Sequence, residues 1–398
     1  MLLEISDEEL KRRRTALLKE LNERGVKAYI IFSATDIFYL TRFAFIPTER
    51  PAALVLTATD QAILFVPRLE EEHAQEGARV DRVRSYPEYP TTRHPLEYLK
   101  DLLEELGLSR GPLGVDADGY ASPMGYRGPR LSQLLPATEV TVLRGLVEKL
   151  RMIKAAEEVA LIRESARWGN LAHTLLQEYA RAGLTELEIS PRASMEATLI
   201  MMRTLGKNYR PVAFGGVGAS AGFRGQIGPN SALPHAVTTN ARLKPGDVLV
   251  TGAGARVGGY GSELERTMFV GEPTPKQRWF FEKMMGAQEV AFAAIKPGRK
   301  CSEVDREVLR YYEEEGLMEY WRHHTGHALG LLGHEAPFFD QGDETVIEPG
   351  MVFSVEPGLY VPGLGGFRHS DTILVTSTGI ELITYYPRDL ESLIVPDK

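Results

Sequence analysis

Histidine is unevenly distributed along this 398-residue chain: His235, His323, His324, His327, His334 and His369 all fall after residue 234. Each stands in turn-like or strand-like sequence rather than on one helical face. They are interleaved with Glu263, Glu265 and Glu356. A lone histidine is usually a satisfied structural residue, but imidazoles grouped with carboxylates are the standard set for acid–base catalysis and for metal ligation. The single cysteine, Cys301, excludes an internal disulfide and a cysteine-based metal cluster, and reads as a small buried residue in a cytoplasmic protein. The glycines of GAGARVGGYG lack the strand–loop–helix context and the Lys-Ser/Thr ending of a phosphate loop, and read as a strand turn.

The elements that must position these side chains follow from pattern. Leu10, Leu17, Leu18 and Leu21 recur at helical spacing over residues 7–25, with Lys11 to Arg14 as that helix's solvated side. Short β-branched runs near 28–33, 52–57 and 62–67 alternate with helical patterns such as PLEYLKDLLEELG, which predicts an α/β N-terminal domain. A long helical segment follows, with Ile153, Val159, Ile162, Ala166, Leu175 and Tyr179 on one face and Gly183 as its C-cap. Beyond it the pattern becomes strand-rich, at 247–252, 266–271, 351–361 and 371–385, with helices near 276–295 and 302–315. That is an α+β domain, so we divide the chain into residues 1–148 and 149–398.

Composition narrows the partners. With 43% hydrophobic and 25% charged residues, the chain has an ordinary globular composition. It has no apolar run long enough for a membrane span, and its N-terminus carries no apolar secretory segment. A net charge of -8 argues against nucleic acid, leaving a small-molecule substrate as the expected partner.

The segments NSALPHAVTTN, GDVLVTGAGARVGGYGSELERTMFVG, HHTGHALGLLGHEAP, MVFSVEPGLY and GFRHSDTILVT occur in the order and spacing of the creatinase/aminopeptidase P family, and EKLRMIKAAEEVALIR resembles the helix that opens its catalytic domain. The resemblance implies a pita-bread C-terminal domain with a curved antiparallel sheet, and a homodimer. The family's metallopeptidases bind two metals with two aspartates, a histidine and two glutamates. By motif the histidine falls on His327, one glutamate on Glu356, one aspartate on Gly252, the other on Glu263 and the last glutamate on Ser370. Two positions are unchanged, one is conservative and two are lost, so a bridged pair of dications lacks its carboxylates.

Glu265, in SELERT, is similar to the glutamate with which creatinase, together with the counterpart of Glu356, grips a substrate guanidinium without metal. Arg50, in TERPAALVL, lies where creatinase reaches into a partner subunit to hold a carboxylate. Creatinase has a histidine at Ser370, although His369 is adjacent, and an arginine at Phe338. The expectation is therefore no cofactor, and metal-independent C–N hydrolysis of a guanidino, amidine or related substrate. In that reading His235 transfers the proton, His327 and His334 orient the substrate, and Glu263, Glu265, Glu356 and Arg50 bind it. One alternative is a single Mn or Zn ion on Glu263, His327 and Glu356 in an Xaa-Pro aminopeptidase or dipeptidase. Another is an inactive binding homologue.

Overall fold

The computed structural model describes residues 3–89, 91–120, 128–209 and 218–398, and falls into two compact units, one of Ile5–Arg151 and one of Met152–Lys398 with the residues before Ile5. In the N-terminal unit, helix Asp7–Glu23 starts where the Ser6 hydroxyl accepts from the Glu9 amide at 3.1 Å. Its apolar stripe, Leu10, Leu17, Leu18 and Leu21, is buried. The basic run is not uniformly solvated as expected. Arg13 is 2% exposed, because its guanidinium is held by Glu9 at 3.0 Å and by the Tyr39 carbonyl at 2.8 Å.

The three β-branched runs become strands Ala28–Ile31, Ala53–Thr57 and Ala62–Pro67, all fully buried. With Arg82–Tyr86, Leu113–Val115 and Val140–Val142 they form a mixed sheet of six, in which Ala28–Ile31 pairs antiparallel with Ala53–Thr57 and parallel with Leu113–Val115. Helix Pro95–Glu105 packs Leu96, Leu99, Leu102 and Leu103 into this unit's core. The N-terminal domain is thus α/β.

The second unit is built on an antiparallel sheet. Neighbour by neighbour, its main path runs Tyr260–Gly261, Gly252–Val257, Leu264–Glu265, Ser370–Val375, Val352–Val355, Gly326–Ala328 and Glu335–Phe339. The GAGARVGGYG stretch is a hairpin: Tyr260 pairs with Val257 across Gly258 and Gly259, whose φ values of +56° and +89° suit the two central positions of a tight strand turn. Helix Ala156–Tyr179 lies against this sheet at backbone distance. A methyl on Gly169 would come within 2.9 Å of the Gly254 Cα, so Gly169 must be glycine for the helix to sit this close. The helix ends at Ala180 rather than at the expected Gly183, and Ile153 lies outside it, 40% exposed.

One element escaped the sequence pattern. Residues Glu186–Leu205 are helical despite Pro191, in a stretch expected to turn toward strands. Its buried positions, Ile189, Ala193, Ala197 and Met201, keep a four-residue spacing that small side chains render nearly invisible to a hydrophobicity count.

The first residue of that helix organises the loops beside the sheet. Glu186 is 1% exposed and accepts from the amides of Gly225 at 2.8 Å, Thr239 at 2.8 Å and Ala241 at 3.3 Å. The first of these amides follows Arg224 directly, and the other two lie in the segment that follows His235. Glu186→Gln exchanges an acceptor oxygen for an amide that cannot accept, leaving a buried N–H unpaired. It is expected to cost about 1–3 kcal/mol, read as a lower urea midpoint at unchanged slope.

Candidate active site

Strand alternation gathers the site. Side chains two apart share a face of a sheet, so Glu263 and Glu265 face the same way, as do Arg368 and Ser370, and Ser354 and Glu356. Register then brings these pairs together: Glu265 stands opposite Ser370, and His327 opposite Ser354. Behind them Arg266, 0% exposed, donates to the carbonyls of Glu265, Ser370, Tyr386 and Pro387 and to Asp371 Oδ1 at 2.8 Å. The strands that carry Glu265 and Ser370 are therefore clamped from the rear.

The cavity in front measures about 470 Å³, and its walls include His235, His334, Glu263, Glu265, Glu356 and Arg368. His327 is fully buried beside this wall, with its ring stacked on His334 at a centroid distance of 3.7 Å. Six of the seven site residues expected from sequence therefore meet at one place. The seventh, Arg50, belongs to the N-terminal unit, where it is paired with Glu49 and Glu88 beside a cavity of about 180 Å³.

His327 Nδ1 sits 3.0 Å from the Ala328 carbonyl, which can only accept, so Nδ1 carries a proton and Nε2 faces the carboxylates. Nε2 is 3.2 Å from Glu356 and 3.9 Å from Glu263, with neither contact aligned as a hydrogen bond. Burial alone would lower this imidazole, but Glu356 and Glu263 hold it up at about 9. Burial, with repulsion from Glu356 and Glu265 added, pushes the Glu263 carboxyl up to about 7, while Ser354 donates to it at 2.9 Å. Burial also works against Glu356, yet His327 and Arg368 hold it well below the usual carboxylate range. Burial likewise lowers His334, reinforced by the neighbouring His327.

Glu265 is not available in the way expected. The buried Arg368 guanidinium grips it through Nε and through Nη2 at 2.8 Å, and Arg224 adds a second cation at 2.7 Å. Both hold Glu265 below the usual carboxylate range against the opposing effect of burial. Ser370, taken from sequence as a lost ligand, donates to Glu265 at 2.7 Å and lies 3.2 Å from Glu356. The space beside Gly252 is taken by Glu265, whose Oε1 would lie 3.5 Å from a Cβ built there. His369 does not stand in for Ser370. It points to the opposite face, 0% exposed, edge-on to Phe281 at 5.2 Å.

Arg368, Arg224, Tyr360 and Ser354 were not singled out from sequence. Arg368 and Ser370 are two apart in GFRHSDT, and that spacing was the available signal that one cation and one motif position share a face.

The donor set fits one divalent ion and not two. Glu263, His327 and His334 offer ligand atoms within 4.8 Å of one another, and Glu263, Glu265 and Glu356 do the same. Around one zinc, ligands at about 2.0–2.1 Å lie about 3.4 Å apart, close to the separations of Nε2 from Glu356 and Glu263. A second ion has no carboxylate from Gly252 or Ser370, and the Arg368 guanidinium stands among the carboxylates that remain.

Fold and site together define a two-domain hydrolase of the pita-bread type. Residues 160–377 match the model of metallopeptidase family M24, and residues 13–153 that of the creatinase/prolidase N-terminal domain. The chain belongs to metallopeptidase family M24. It is 30% identical over 381 residues to an Xaa-Pro dipeptidase of Pyrococcus furiosus, covering 96% of this chain and 100% of the relative. It is 30% identical over 394 residues to the probable dipeptidase PepE of Mycobacterium tuberculosis, covering 98% of each. Among solved structures, an Xaa-Pro dipeptidase from Bacillus anthracis superposes with a TM-score of 0.79 at 28% identity, covering 97% of this chain and 100% of that one.

These findings correct two expectations. The metal-independent, creatinase-like hydrolysis of a guanidino or amidine substrate is overturned by similarity to relatives named as Xaa-Pro dipeptidases and by membership of a metallopeptidase family. The physical reason lies in Arg368. The positive group that the carboxylates require, assigned from sequence to the substrate, is supplied by the chain itself. The expectation of no cofactor falls with it, since the family's peptidases take divalent metal. Among the described residues, no helix is long and apolar enough to cross a membrane.

Proposed function

We propose that this chain is an Xaa-Pro peptidase dependent on one divalent metal ion, working in its catalytic domain, residues 149–398, on small peptides. The observation that carries the reading is the cluster of Glu263 and Glu356 on the wall of the 470 Å³ cavity with the buried His327, whose Nε2 is turned toward both carboxylates. Those three residues would hold the ion, with His327 Nε2 3.2 Å from Glu356 and 3.9 Å from Glu263, and His334 forms with Glu263 and His327 a further set of donors within 4.8 Å of one another. When bound, the ion supplies Lewis-acid polarisation of the scissile carbonyl and lowers the pKa of a water.

The chain's own residues do the rest. The Ala328 carbonyl fixes the His327 tautomer, and Ser354 orients Glu263. The oxygen of water joins the carbonyl carbon and the C–N bond breaks. The proline nitrogen carries no hydrogen of its own in an Xaa-Pro bond, so it must take a proton to leave. His235, exposed on the cavity wall, takes a proton from the attacking water and passes it to that nitrogen. Water can partly replace an exposed donor, so His235→Ala is expected to lower kcat by about 10²-fold, with a folded protein by circular dichroism. The reading includes a cytoplasmic homodimer, the compartment supported by the single cysteine, Cys301, and the homodimer by the resemblance to creatinase.

The test is metal content of protein purified without chelator, beside release of proline from Ala-Pro with and without added manganese or zinc. One equivalent of metal, with turnover abolished by chelation and restored by readdition, supports the reading. Turnover that survives complete removal of metal, or one bound equivalent with no Xaa-Pro substrate cleaved, overturns it.

A further inference from the structure

A second cavity, of about 330 Å³, adjoins the catalytic one. Glu263 lines both, and the consecutive residues Leu332, Gly333 and His334 run from the wall of one to the wall of the other. Its room comes from two paired strands. Gly252–Val257 lies antiparallel to Gly218–Gly222, with Arg256 opposite Gly218 and Gly254 opposite Ser220. Paired residues share a face of a sheet, so the Arg256 side chain stands among positions of little bulk. Leu329 and Leu332 supply the apolar part of the wall.

Arg256 is the one cation lining this space among the described residues. Its Nη1 donates to the carbonyls of Leu331 at 2.7 Å and Gly259 at 3.1 Å. Those bonds fix the guanidinium beside Gly261, where a Cβ would stand 3.8 Å from the same nitrogen. Among the described residues it forms no ion pair, and its Nε and Nη2 donors are unused. Glu335, the carboxylate that acts on it electrostatically, lies beyond ion-pair distance and is engaged by Lys154 at 3.7 Å and by the Leu332 amide at 2.8 Å. Burial lowers the Arg256 pKa from its usual value against the pull of Glu335. A partly buried guanidinium without a carboxylate is uncommon, and one fixed by a single nitrogen can still take a carboxylate through two hydrogen bonds.

We propose that this cavity receives the side chain of the residue before proline, and that Arg256 makes an acidic residue the preferred one at that position. The inference rests on the Xaa-Pro reading. The scissile carbonyl belongs to the residue before proline, whose Cα is bonded directly to the carbonyl carbon. A carbonyl brought to Glu263 therefore places that residue's side chain where the two cavities meet. Leu329 and Leu332 take its methylenes and Arg256 its carboxylate. Lysine there meets a like charge, and glutamine matches the shape of glutamate without its charge.

The experiment measures kcat/KM for Glu-Pro, Gln-Pro and Lys-Pro on the manganese-loaded full chain. The parent is expected to favour Glu-Pro over Gln-Pro by about 10-fold or more, with Lys-Pro the poorest. Arg256→Met is expected to erase the preference for Glu-Pro, and Arg256→Lys to keep part of it. A general loss of folded protein lowers both substrates alike and leaves their ratio unchanged. A parent that cleaves Gln-Pro as well as Glu-Pro overturns the proposal, as does a preference that survives Arg256→Met. A second readout needs no turnover: L-glutamate should raise the Tm of the parent more than L-glutamine does, and Arg256→Met should remove that difference. If no Xaa-Pro compound is cleaved while glutamate alone protects the parent, the reaction class fails and the acid-binding cavity stands. Equal effects of glutamate and glutamine with no compound cleaved overturn the cavity as well.

Discussion

Replacing His327 with alanine is expected to remove bound metal and to lower turnover of Ala-Pro by about 10⁴-fold or more. The side chain is enclosed, its Nδ1 is fixed by the Ala328 carbonyl, and its Nε2 lies within 4 Å of both Glu263 and Glu356. A Lewis-acid ion contributes several kcal/mol to the transition state, and each 1.36 kcal/mol is about tenfold in rate. Loss of the ion therefore reads as several powers of ten, well beyond the roughly hundredfold set for His235. Elemental analysis and a proline-release assay on the same preparation check this. A variant that keeps its equivalent of metal and turns over within tenfold of the parent would remove His327 from the ligand set. Glu356→Gln is the control for shape, since it retains the outline and loses the charge.

Much of this site could be located from sequence because its parts lie in short contiguous motifs. TGHALG holds His327, SVEPG holds Glu356 and SELERT holds both Glu263 and Glu265, and register joins them across four neighbouring strands. The fold class was legible for a similar reason. β-branched runs and four-residue apolar spacing are local, and they gave the α/β and α+β units that the structure has. What could not be read was pairing between motifs. Arg368 was passed over as the framing of GFRHSDT, yet it decides the electrostatics, because it bonds to a glutamate 103 residues earlier in the chain. Once that bond exists, Glu265 is no longer a free grip for a substrate cation, and the chemistry inferred from three unpaired carboxylates changes. Glu186 was invisible on the same ground: its three amide partners lie 39 to 55 residues downstream. Helix Glu186–Leu205 was lost to a local signal that misled, since Pro191 and a face of alanines mask its period.

Arg368→Met is expected to destabilise the protein by about 3–5 kcal/mol, because removing one partner of a buried pair strands the other charge. Arg368 is 3% exposed; its guanidinium grips Glu265 with two nitrogens, lies 3.8 Å from Glu356 and donates to Tyr360. Methionine fills much of the volume and supplies none of the charge, so the loss reports electrostatics rather than a cavity. Arg224 cannot compensate, as its side chain is half exposed and reaches only one oxygen of Glu265. If Arg368 occupies the position that a second cation would otherwise neutralise, the variant should also become sensitive to divalent ions. Millimolar manganese should raise its Tm more steeply than that of the parent, because a ligand bound only by the folded state stabilises it by RT ln(1 + [L]/Kd), about 2.7 kcal/mol at 100 Kd. A variant as stable as the parent would show that Glu265 and Glu356 do not depend on Arg368. A destabilised variant with the parent's metal response would show that the guanidinium is structural there and does not stand in for an ion. The combination of lost stability and gained metal response is the outcome that a one-ion centre with a built-in cation requires.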